Sequence, residues 1–108
     1  MKRLALGIAT FILIASGVAV FGALKNGQEL CNAAEQFYIK GSYDKALAIY
    51  DDLIASGNAN GAIYYNAGNC CLKQEFTGEA IYYYEMARRF IPRDTELLAN
   101  IRYARSLM

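Results

Sequence analysis

Apolar residues follow two regimes along this chain. From Leu4 to Leu24 they form a run that no charge interrupts, whereas beyond Asn26 they recur at helical spacing. Tyr64, Ala67, Gly68 and Cys71 stand at i, i+3, i+4 and i+7, the stripe of one amphipathic helix. After a break at Glu75-Phe76-Thr77-Gly78, a second stripe follows at Ala80, Ile81, Tyr84 and Ala87. Thr77 is its expected N-cap, and Pro92 closes the unit. Residues 26–60 laid over 60–94 match best at an offset of 34, so the pattern is a repeated helical hairpin. A half-unit completes it: Asp94 caps a helix whose apolar face is Leu97, Leu98, Ile101 and Ala104. The spacing therefore predicts an all-α chain with hairpins over 26–59 and 60–93 and a capping helix over 94–108. Arg102 and Arg105, 34 residues beyond Gly68 and Cys71, replace packing residues with charge, as the solvated end of an array requires.

These residues resemble the tetratricopeptide repeat. Tyr64, Ala67-Gly68, Ala80, Tyr84, Ala87 and Pro92 occupy its aromatic, small and proline positions. Leu30, Ala33, Ala34, Phe37, Ala46, Tyr50 and Leu53 fill the same positions of the first unit, which departs at Ala34 and at Asn58, where the closing proline would stand. Gly57-Asn58 supplies a turn there without proline. The resemblance implies a short solenoid of two hairpins and a cap; the uncharged run before it reads as an N-terminal hydrophobic helix. The segments "YIKGSYDKALAIYDDLIASG" and Tyr64 to Arg105 are further similar to the tetratricopeptide proteins of bacterial aerotolerance (Bat) operons. That likeness implies a membrane-associated periplasmic scaffold, encoded beside envelope proteins with von Willebrand factor A domains and tied to stress or oxygen tolerance. It brings no catalytic residue.

The uncharged run governs location. Lys2 and Arg3 precede it and Lys25 ends it, the order of a signal peptide or a membrane anchor over residues 1–25. At about 1.5 Å per residue its 21 residues reach about 32 Å, close to the roughly 30 Å hydrocarbon core, so length permits either. Gly17, Gly22 and Ala23 offer cleavage sites, whereas Cys31, preceded by Gln28-Glu29-Leu30, does not fit a lipoprotein signal. The expected location is periplasmic, or anchored in the inner membrane and facing the periplasm.

Composition removes other function classes. The 108 residues hold one small domain and contain neither His nor Trp, so the commonest general base and metal ligand are missing. From Asn26 onward eight Lys/Arg face ten Asp/Glu, a net charge of −2 that argues against nucleic acid. The chain is expected not to be an enzyme, with neither cofactor nor metal, and to bind a protein or peptide. By repeat register, the concave face would present Asn32, Glu35, Tyr65, Asn66, Asn69, Lys73, Asn100 and Tyr103. Asn32, Asn66 and Asn100 are 34 apart, and such an amide ladder either grips an extended peptide or hydrogen-bonds neighbouring helices. A carboxylate clamp of the kind some tetratricopeptide domains use is disfavoured, because Cys31 and Glu35 stand where it needs lysine and asparagine.

Three cysteines raise a second possibility, a redox-responsive stress protein. Cys70 and Cys71 are adjacent on one helix and point about 100° apart, which opposes a bond between them. Cys71 falls on the packing stripe, with Cys31 and Cys70 incidental; the competing arrangement is a Cys31–Cys70 disulfide across neighbouring first helices. Among nine tyrosines, Tyr50, Tyr64 and Tyr84 are assigned to packing, while Tyr65, Tyr82 and Tyr83 lie off the stripe. Acidic residues concentrate in the first half and Arg88, Arg89, Arg93, Arg102 and Arg105 in the second, a pattern that a solvated face with cations at helix C-termini explains.

Overall fold

The computed structural model describes residues 26–108; the apolar run and its flanking charges, hence the signal or anchor expectation, lie outside the described residues. The described chain forms five helices: α1 (Gly27–Ile39), α2 (Tyr43–Ala55), α3 (Gly61–Lys73), α4 (Thr77–Arg88) and α5 (Thr95–Ser106). There is no strand among these residues, and none of the helices is long and apolar enough to cross a membrane.

The first helix of each unit begins in the same way. Asn26, Asn60 and Asp94 accept the backbone N–H of Glu29, Ile63 and Leu97 on their side-chain oxygens, each at 2.9 Å, satisfying a donor that the helix start leaves open. The caps recur at the repeat offset. The second helices start otherwise: Ser42 and Phe76 hold the N-cap positions without a side-chain cap bond. Thr77, expected as the cap, is instead the first residue of α4. The turn itself does the ordering. The N–H of Ser42 donates to Phe37 O at 2.8 Å and that of Phe76 to Cys71 O at 2.9 Å, closing α1 and α3 as their partners begin. Gly41 (φ 82°) and Glu75 (φ 65°) supply the left-handed residue in each turn.

Each helix packs mainly on its neighbours in sequence, α1 on α2, α2 on α3, α3 on α4 and α4 on α5. Central α3 is buried on two sides. Ile63, Ala67 and Cys70 join Leu30, Ala34, Ile49 and Leu53 in one apolar cluster, while Tyr64 and Cys71 join Tyr84, Leu97 and Ile101 in another. Leu47, Ile54 and Tyr83 touch both, so the clusters are continuous. Cys70, read from sequence as incidental, is fully buried at this junction. Tyr50, Tyr64 and Tyr84 are buried as their register requires. Gly68 lies flat under Tyr84, where an added Cβ would come within 2.5 Å of two ring carbons.

At the far end, Arg102 and Arg105 are exposed, but Arg105 is not simply solvated. Its guanidinium pairs with Glu85 of α4 at 2.7 Å, and Arg88 pairs with the same carboxylate at 2.9 Å. Exposed pairs of this kind contribute at most about 1 kcal/mol, so packing of Leu97 and Ile101 fixes α5 rather than charge.

Candidate functional site

The first helices α1, α3 and α5 share one open face, and two adjoining hollows lie along it. One, of about 320 Å³, lies between α1 and α3 and is lined by Asn32, Glu35, Asn66 and Asn69, with Tyr38 and Tyr50 as aromatic walls. The next, of about 400 Å³, lies between α3 and α5 and is lined by Tyr65, Asn69, Lys73, Asn100 and Tyr103, again with Tyr38. All eight residues expected from register line one or the other. Tyr38 and Asn69 belong to both, so the hollows form a single groove. A third hollow shares Lys73 and Tyr103 and carries the groove on to Leu107.

Register missed Gln28, Cys31, Tyr38, Ile39, Tyr50 and Leu72, of which Tyr38 lines both hollows. It sits 34 residues before Leu72, which lines the second hollow, so the position faced the groove in both units while its chemistry differed. The ring of Tyr43 at the start of α2 meets Tyr38 edge-on at 5.1 Å, holding it at the groove wall.

The asparagines do not bond to one another as a ladder of 32, 66 and 100. Asn32 accepts from Gln28 one turn earlier at 3.0 Å. Asn66 lines the α1–α3 hollow with Tyr50, whose pKa is raised chiefly by burial. Asn100 donates to Tyr65 Oη at 3.0 Å and to Asn69 Oδ1 at 3.3 Å, and Asn69 Oδ1 also accepts from the buried Tyr84 hydroxyl at 2.6 Å. The network ties α3, α4 and α5 together and fixes two amides. With its oxygen occupied by two donors, Asn69 turns its NH2 to the groove; with its NH2 engaged twice, Asn100 is left with its carbonyl to offer. One donor and one acceptor held side by side match the C=O and N–H of a peptide main chain.

Off the groove, Tyr83 is half-buried and donates to Asp51 of α2, while Tyr82 is exposed. All three cysteines are free thiols. Burial, then the neighbouring Cys71, pushes Cys70 up to about 12, and burial, then Asp51, pushes Cys71 up to about 11. Burial and the Glu35 carboxylate raise Cys31 as well. No group of three or more metal-ligating residues occurs among the described residues.

No protein-family model matches the chain, and no curated protein matches it.

Proposed function

We propose that this chain is a small tetratricopeptide-type adaptor, exported or held at the bacterial inner membrane by residues 1–25, that captures an extended segment of a partner protein along the α1–α3–α5 face. The supporting observation is the groove floor: Asn69 and Asn100 are fixed by the Tyr84 and Tyr65 hydroxyls as an adjacent donor and acceptor, between aromatic walls. Fixed amides lose little freedom on binding, and in a half-buried groove their bonds to a peptide outweigh those to water. The 34-residue recurrence of caps, hairpin turns and buried Ala46/Ala80 and Tyr50/Tyr84 supports the family assignment. The likeness to Bat-operon proteins points to envelope partners with von Willebrand factor A domains and to a role in stress or oxygen tolerance.

The redox alternative draws less support. A reactive cysteine needs thiolate character near neutral pH, whereas burial raises all three thiols here.

The test is a crosslinking pull-down from native membranes with the full-length chain, read by mass spectrometry that also reports the mature N-terminus. Capture of envelope proteins with von Willebrand factor A domains is the expected result, and Asn32→Ala with Tyr103→Ala should reduce it while melting stays unchanged, since both side chains are exposed. Capture that survives both substitutions would sink the groove. Capture of cell-wall or translocation machinery would move the adaptor to another pathway.

A further inference from the structure

The groove is not uniform in charge. Among the described residues, the α1–α3 hollow is lined by one carboxylate, Glu35, and by no Lys or Arg. The α3–α5 hollow contains one ammonium, Lys73, and no carboxylate. Ion pairs of the described residues use Glu85, and none uses Glu35, so its charge has no counter-ion among the described residues.

Around Glu35 the other groups are those that a cation favours. Asn32 Oδ1 accepts a single bond, from Gln28, and has a second lone pair to offer. The buried Tyr50 borders the same space, and the Tyr38 ring forms a wall on which a guanidinium or ammonium can rest. At about 320 Å³ the hollow is at the low end of the roughly 300–1,000 Å³ of ligand clefts, room for one side chain rather than a separate ligand.

We infer that the α1–α3 hollow is a subsite for one basic side chain, lysine or arginine, of the captured segment. Glu35 supplies the charge, Asn32 a further acceptor, and Tyr38 the aromatic face. Lys73 in the adjoining hollow repels a second cation, so the preference is for a single basic residue near the α1 end and not for a polybasic stretch. The subsite rests on the groove being the binding face.

A phage library of random heptapeptides, selected on the full-length chain in detergent micelles and in parallel on Glu35→Gln and Glu35→Lys, tests this. The expected outcome is enrichment of peptides with one Lys or Arg. Exchange of that residue for Met, or Glu35→Gln in the protein, should weaken binding about tenfold, and Glu35→Lys should turn the selection towards Asp or Glu. Because Glu35 is exposed and without an ion pair, both variants should retain wild-type helicity by circular dichroism. Enriched peptides without a basic residue, or a selection that Glu35→Lys leaves unchanged, would overturn the subsite while the groove stood. A library from which nothing is enriched would overturn the groove and the subsite with it.

Discussion

At Gly68 and Glu75 a single side chain matters through the space or backbone it occupies. At Gly68 any Cβ meets the Tyr84 ring at 2.5 Å, and that ring cannot retreat because its hydroxyl is bonded to Asn69. Gly68→Ala should therefore cost about 1–3 kcal/mol, read as a lower urea midpoint with an unchanged slope. Glu75 adopts φ 65° in the turn where Gly41 serves in the first hairpin. Glu75→Gly should raise stability by about 0.5–1 kcal/mol, the left-handed penalty of an L-residue less the extra freedom of glycine in the unfolded chain. The thiols add a pH dependence. Cys70 and Cys71 titrate at about 12 and about 11 when folded, against an ordinary 9.0. Above pH 9 the unfolded chain loses those protons first, so stability should be level below pH 9 and fall from there towards 12. Denaturant titrations at pH 8, 9.5 and 11 measure that slope; a Cys70→Ala, Cys71→Ala double variant should reduce it between pH 8 and 9.5, while Tyr50, Tyr83 and Tyr84, raised by burial above the ordinary 10.0, still add to it at pH 11.

At the scale of elements, α5 carries a load out of proportion to its length. Leu97, Ile101 and Ala104 cover Tyr64, Cys71 and Tyr84, and Leu97 is fully buried. Leu97→Ala should cost about 2–5 kcal/mol in denaturant unfolding, several times the loss from Arg105→Ala, whose ion pair is exposed. The five helices and their hairpin pairing were legible in the sequence because each first helix shows a stripe at 3.6-residue spacing and the stripes recur 34 residues apart. Cys70 was not, for a definite reason. A single stripe describes a helix covered on one side, and α3 is covered on two, so its buried set widens to include Ile63 and Cys70 beside Tyr64, Ala67, Gly68 and Cys71. The start of α4 was misplaced because a threonine before an apolar stripe suggests a cap, whereas the tight turn from α3 leaves no residue free to make one. Register alone placed the eight candidate residues on the first-helix face, but neither Tyr38 nor the way the eight bond to each other was legible, since those bonds join residues 31 and 35 positions apart whose rotamers depend on Tyr84 and Tyr65.

For the whole molecule, contact between sequential neighbours means that stability spreads from one unit to the next across α3. The two apolar clusters meet through Leu47, Ile54 and Tyr83, so damage in one should be felt in the other. Ile49→Ala in the first cluster and Leu97→Ala in the second should each shift a single cooperative transition, seen alike by circular dichroism and tyrosine fluorescence. Two separated transitions would show that the hairpins unfold independently.

The recurring start of α1, α3 and α5 makes the chain a cassette. Asn26, Asn60 and Asp94 fall at the same point of successive units, and Asp94 follows the second unit as Asn60 follows the first. A duplicate of residues 60–93 spliced between Arg93 and Asp94 would meet a cap at each junction, bring its own Gly68 seat for Tyr84, and leave α5 to close the array. Lengthening would proceed one amide-bearing hairpin at a time, with new contacts confined to the seam between α4 and the added copy of α3, so the reach of the groove is a quantity that gene duplication, or an engineer, can set.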